Sequence, residues 1–186
     1  MHFEWDGPDD LSGRVATAWD EANLYFAVRV RNQGPLYNTP RERGKFQAAD
    51  EGDCLEVFLD FEPQTGKAYG PNTWRVFFVP PTPDFPSLSW HVEQPAAREL
   101  VEVQAVGRPV RGGYLMEIKI PWANFVPFKP AAGKVFGFDL ALDKQDGPSE
   151  RVRSFGRGYR KCQIGWGGSR LVPGDRSQFG RMILSE

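Results

Sequence analysis

The 186-residue sequence predicts an all-β fold: an antiparallel β-sandwich of jelly-roll or immunoglobulin-like kind, with little helix. Three observations carry that expectation. Apolar and polar residues alternate with period two in segment after segment, the pattern of strands with one face on a core. Turn-forming groups punctuate the segments: Gly66, Pro80-Pro81, Arg111-Gly112-Gly113, Ala132-Gly133 and Pro173-Gly174. The 20 Gly and 16 Pro disfavour a helical bundle, while 14 Phe, 6 Trp and 5 Tyr supply the apolar area a core needs.

The elements follow in order. A short strand is expected over Val15–Trp19. From Leu24 to Arg31, Leu24, Phe26, Val28 and Val30 share one face, and Tyr25, Arg29 and Arg31 the other. From Cys54 to Phe61, Leu55, Val57, Leu59 and Phe61 face inward, against Cys54, Glu56, Phe58 and Asp60. Trp74, Val76 and Phe78 alternate with Arg75 and Phe77. A weaker strand covers Leu100–Val106. Tyr114, Met116, Ile118 and Ile120 then line up against Leu115, Glu117 and Lys119. Phe136, Phe138, Leu140 and Leu142 oppose Gly137, Asp139, Ala141 and Asp143. A last short strand covers Arg181–Leu184. Pro121 to Phe125 reads as one helical turn opened by proline.

No internal repeat or linker divides the chain, so residues 1–186 are read as one domain, of a length that suits a piece cut from a larger protein. The start, Met1 to Asp6, has neither the basic residues nor the apolar stretch of a signal peptide. No apolar run approaches the roughly 20 residues that span a bilayer, so no membrane partner is expected. Cys54 and Cys162 are compatible with one disulfide or two thiols, and their spacing excludes a CxxC motif.

Charge narrows the function. With 23 Lys+Arg against 24 Asp+Glu, bulk attraction to nucleic acid is excluded. The segment 151–161, five cations around Phe155 and Tyr159, suits an anionic sugar or a single strand, or is a plain solvated loop. Two histidines, His2 and His91, are too few for a multi-His metal site. The carboxylate pairs Glu56/Asp60 and Asp139/Asp143 read as solvated or salt-bridged strand faces, and a glycosidase would need such a pair across a cleft.

Several segments, taken together, resemble the family 9 carbohydrate-binding modules associated with xylanases. They are Ala18-Trp19-Asp20 through Leu24-Tyr25-Phe26, Asp53-Cys54-Leu55-Glu56-Val57-Phe58-Leu59-Asp60, Tyr114 through Glu117 to Ile120-Pro121-Trp122, Gly137-Phe138-Asp139, and Phe179-Gly180. The resemblance spans Val15 to Leu184. It implies a sandwich that binds saccharides without cleaving them, is linked to a catalytic domain, and works extracellularly or in the periplasm. It also implies a structural calcium ion, for which Asp20, Asp139, Asp143 and Asp146 are candidates.

On the same resemblance the ligand-binding set is Glu56, Arg75, Asn72, Trp166 and Trp90. Members of the family hold a sugar between two Trp rings while charged and amide groups bond its hydroxyls. Glu56 and Arg75 match the hydroxyl-bonding acid and arginine, and Asn72 an amide. Trp166 falls in the region of the second ring. Asp50 stands where the first ring is expected, which leaves Trp90 as a replacement platform and makes loss of the sugar site, with a structural or docking role, the competing expectation. Trp19, Trp74 and Trp122 are assigned to the core. A small glycan-acting enzyme using Glu56 or Asp60 is the third reading.

Overall fold

In a computed structural model, the structure describes residues 5–37, 52–61, 66–83, 86, 88–94, 99–145, 162–167 and 175–186. Among the described residues, ten strands form two antiparallel sheets: β1 (Leu11–Trp19), β2 (Asn23–Asn32), β3 (Cys54–Asp60), β4 (Thr73–Val79), β5 (Ser89–Gln94), β6 (Gln104–Val110), β7 (Gly113–Pro121), β8 (Val135–Lys144), β9 (Cys162–Gly165) and β10 (Gly180–Ile183). One sheet has the order β1-β2-β7-β6, and the other β10-β8-β3-β4-β5, with β9 also on β8. A 3-10 turn, Trp122–Phe125, follows β7, the single helical turn expected after Pro121.

The two sheets bury their alternating apolar faces against each other. Phe26, Val28 and Val30 of β2 and Met116, Ile118 and Ile120 of β7 meet Leu55, Val57 and Leu59 of β3 and Phe138 of β8. Each such side chain is worth about 1.5–3 kcal/mol on burial. An aromatic knot closes one end, where the Phe61 ring lies 4.6 Å from Phe125 and 4.6 Å from Phe128. Trp74 and Trp122 belong to this core. Trp19 packs on its margin and donates its indole N–H to the Ser185 carbonyl at 2.8 Å.

Two strands are displaced from the bounds that alternation gives, and two others were not expected. β1 begins at Leu11, because its small, partly exposed residues hide the period while still completing the ladder to β2. The weak strand lies at Gln104–Val110, further along than Leu100–Val106. It accepts Pro109 because it is an edge strand, whose outer N–H groups have no ladder to join. Strands β5 and β9 lie in stretches to which the alternation assigned no strand.

A larger correction concerns the outer face of the six-stranded sheet. The faces of Glu56/Asp60 and Asp139/Asp143 were read as solvated or salt-bridged; Glu56 and Asp60 do pair with Arg75 and Arg176, and it is the solvated alternative that fails. Every residue of β3 and β4 is buried, on both sides of the sheet. Part of the cover is Phe179, whose ring lies 5.4 Å from Phe58, with Tyr69 beside it.

Both cysteines are buried free thiols. The register explains this: Cys54 lies on the outer face opposite Asp143, to which its thiol donates at 3.0 Å, whereas Cys162 belongs to the inner core. A disulfide would have to pass through the sheet. A reductant is therefore expected to leave the melting temperature unchanged, with thiol reagents reacting only on unfolding; a drop on reduction would contradict the assignment.

One end of the sandwich holds a buried polar cluster. Asp53 accepts from Asn32 Nδ2 at 2.5 Å and from the Tyr37 N–H at 2.6 Å, and Lys144 pairs with Asp10 nearby. Burial pushes the Asp53 carboxyl up to about 7, against the opposing pull of those donors and of Lys144. Between the ordinary carboxylate range and pH 7, the unfolded chain releases this proton while the folded chain keeps it. Asp53 therefore makes stability fall as pH rises from about 4 to 7 and level off above. A carboxyl resonance titrating near 7 would bear this out, and one titrating near 4 would contradict it.

Candidate functional site

The register builds the site. In the β3–β4 ladder, Glu56 stands opposite Phe77 and Phe58 opposite Arg75, so Glu56 and Arg75 are diagonal neighbours on the outer face. Arg75 Nε donates to Glu56 Oε2 at 2.7 Å. The guanidinium carbon lies 4.6 Å from the centroid of Phe77 and 5.6 Å from that of Phe58. Two rings thus hold the planar cation in place by cation–π attraction and shape. The β4–β5 register slips between Arg75 and Val76, a bulge that sharpens the twist beside the arginine.

From the other side, Gln163 of β9 donates its amide to Glu56 Oε1 at 2.9 Å. An acid, a guanidinium and an amide therefore converge on one face, flanked by two aromatic rings. Hydroxyl-bearing ligands are recognised by such sets, since carboxylate accepts, guanidinium donates and an amide does both. Side-chain exposure of Arg75 and Glu56 is 4% and 0%, so a ligand reaches them only if that face opens.

The other expected ligand-binding residues lie elsewhere. Asn72 precedes β4 at the turn and accepts from the Phe61 N–H through its backbone carbonyl. Trp90 stands opposite Phe78, an inner-face residue, and packs half-buried on the core, on the reverse side of the sheet from Glu56. Trp166 is 61% exposed and rests edge-on against Phe138, with the ring centroids 5.6 Å apart. It lines a cleft of about 600 Å³ where β1 approaches β8 and β10, together with Val15, Leu140 and Ile183. The structure joins Glu56 to Arg75 and does not bring either tryptophan ring to them. Gln163 was missed; only the pairing of β9 with β8, Gln163 opposite Asp143, reveals it.

The calcium candidates are spread out. Asp20 caps a turn, accepting from Ala22 N at 2.8 Å, Asn23 N at 2.7 Å and the Tyr25 hydroxyl at 2.7 Å, and these bonds hold its carboxyl below its ordinary value. Asp139 accepts from the Leu140 and Gly167 N–H groups, and burial raises its carboxyl. Asp143 faces Cys54, and Asp146 lies outside the described residues, as do Asp50 and the segment 151–161. Among the described residues, no group of three or more His, Cys, Asp or Glu is placed to hold a metal ion.

The two carboxylates of β3 are each bonded from neighbouring elements. Asp60 accepts from Thr73 Oγ1 at 3.2 Å and from Arg176 Nη1 at 3.3 Å, while Glu56 is held by Arg75 and Gln163. Both are buried in ion pairs.

The chain is a two-sheet antiparallel β-sandwich with a buried polar set, Glu56, Arg75 and Gln163, on one sheet face. The family profile described as carbohydrate family 9 binding domain-like matches residues 1–186, and the chain belongs to that family. Among solved structures, it is similar to a family 9 carbohydrate-binding module from Caldicellulosiruptor kristjanssonii in complex with cellotriose. Identity is 16%, the TM-score is 0.67, and the match covers 97% of this chain and 78% of that one. A family 9 module from the same organism in complex with glucose matches with 17% identity, a TM-score of 0.66 and coverage of 98% and 84%. No curated protein matches the sequence.

Proposed function

We infer that this chain is a non-catalytic saccharide-binding module whose ligand is held by Glu56, Arg75 and Gln163. The observation that carries the reading is the convergence of those three groups between Phe58 and Phe77 on one sheet face. Membership of the family supports it, as do the glucose and cellotriose bound by the two similar modules. In this reading the module serves a linked catalytic domain that degrades polysaccharide outside the cytoplasm. Trp90 has no part in stacking, since it lies on the other side of the sheet.

Calorimetric titration with glucose and cello-oligosaccharides tests the reading. Saturable binding is expected, weakened at least tenfold by Glu56→Gln, a near-isosteric change that removes the charge, with the fold checked by circular dichroism. One observation favours a second reading: the complete burial of Glu56 suits a scaffold whose sugar site has closed for good. Absence of binding to any member of a broad glycan array would establish that scaffold and defeat the first reading.

A further inference from the structure

The outer face of the four-stranded sheet carries an arginine field that the saccharide site does not use. Cross-strand register places Arg14 of β1 directly opposite Arg29 of β2. Arg29 stands opposite Leu115 of β7, and Leu115 opposite Arg108 of β6, so one row across the sheet reads Arg-Arg-Leu-Arg. Arg31, two residues from Arg29 on the same face, continues the patch toward the β6–β7 turn. All four side chains are exposed. Arg31 is matched by Asp9 at 2.7 Å, whereas among the described residues Arg14, Arg29 and Arg108 have no ion-pair partner.

Two features set this apart from ordinary surface charge. The chain is close to neutral, with 23 Lys+Arg against 24 Asp+Glu, so a local surplus of this size is a matter of placement. Like charges directly opposite in a ladder also destabilise the pairing, so the Arg14–Arg29 pair is a local fault for the free protein. Local faults that folding does not require are expected at functional sites. The cations are all arginines, whose flat fork matches a two-oxygen carboxylate. Their spacing is about 4.8 Å between neighbouring strands and about 6.8 Å along one strand, the scale of a pyranose repeat. The adjoining row reads Ala16, Ala27, Glu117, Val106: its small residues keep the face low, and its one exposed carboxylate, diagonal to Arg29 and Arg108, leaves the two rows with three cations to one acid. No aromatic ring lies in the arginine row, so the stacking platforms of a single-strand nucleic acid site are missing there.

We propose that this face binds an anionic polysaccharide through its uronate carboxylates, as a second surface independent of the Glu56–Arg75 site. Affinity electrophoresis and calorimetry with polygalacturonate test it. Binding is expected at about 50 mM salt and should weaken steeply toward about 300 mM. The double variant Arg14→Gln/Arg29→Gln should lose at least tenfold in affinity. Its melting temperature should hold or rise, because the like-charge pair is gone, which a merely structural role would not produce. Titration of the same variant with cello-oligosaccharide reads the other site separately and should match the unaltered protein. Failure to bind polygalacturonate at low salt, unchanged affinity in the double variant, or tighter binding of oligo(dT) than of polygalacturonate would each overturn the proposal.

Discussion

Replacing Arg75 by Ala is expected to destabilise the fold by about 3–5 kcal/mol, because it strands the Glu56 carboxylate in a buried site. The pair is enclosed, with side-chain exposures of 4% and 0%, so solvent screening does not soften the loss. The contact from Gln163 Nε2 to Glu56 Oε1 comes from a neutral donor and does not replace a guanidinium. Removing the three polar groups together should recover most of the loss. In a triple variant, Glu56→Leu, Arg75→Met and Gln163→Leu, the buried charge of this pair is gone and the apolar volume is roughly kept. Its stability should lie within about 1–2 kcal/mol of the original chain. Urea unfolding of the single and triple variants measures the contrast. A triple variant as unstable as Arg75→Ala would mean that Arg75 acts through packing on Phe58 and Phe77 instead.

Gly113→Ala should be comparably severe for a different reason. Gly113 has φ of 150° and sits opposite Arg31 at the start of β7. A Cβ there would overlap the Val30 carbonyl oxygen and crowd Arg31 Cα at 3.1 Å, both backbone atoms of the neighbouring strand. Neither can give way without breaking the β2–β7 ladder. Backbone strain and overpacking together cost about 3 kcal/mol or more. Gly112 is the control: its φ is 74°, but nothing lies within 4 Å of its Cβ position. Gly112→Ala then carries the conformational cost alone, about 1–2 kcal/mol. Equal losses at the two positions would show that the overlap with Val30 is relieved cheaply.

The strands that pack on the core were legible because alternation survives wherever one face is apolar, as in Leu24–Val30 and Tyr114–Ile120. β5 was hidden behind the prolines at positions 80, 81, 83 and 86, which read as loop, and β9 is only four residues long. The pairing of Glu56 with Arg75 could be anticipated, since both fall on the non-aliphatic face of neighbouring segments. Its enclosure could not. Alternation says which side a residue takes, not whether a second layer lies over that side, and charged residues are most often exposed. The same limit applied to Trp90: once Ser89–Gln94 is a strand, its register puts the ring on the inner face, but a loop has no register. Trp166 lay within the matched region, yet the strand pairing that sends its ring to Phe138 is non-local.

Side-chain NMR on the folded protein tests the central claim most directly. The Arg75 Nε–H and Gln163 Nε2 resonances, followed during titration with cellotriose, should shift together and saturate with one dissociation constant, while the indole N–H of Trp90 stays still. Shifts confined to Trp166 and the cleft around Val15 and Ile183, with Arg75 and Gln163 unmoved, would contradict the assignment of the saccharide site to the Glu56–Arg75 face.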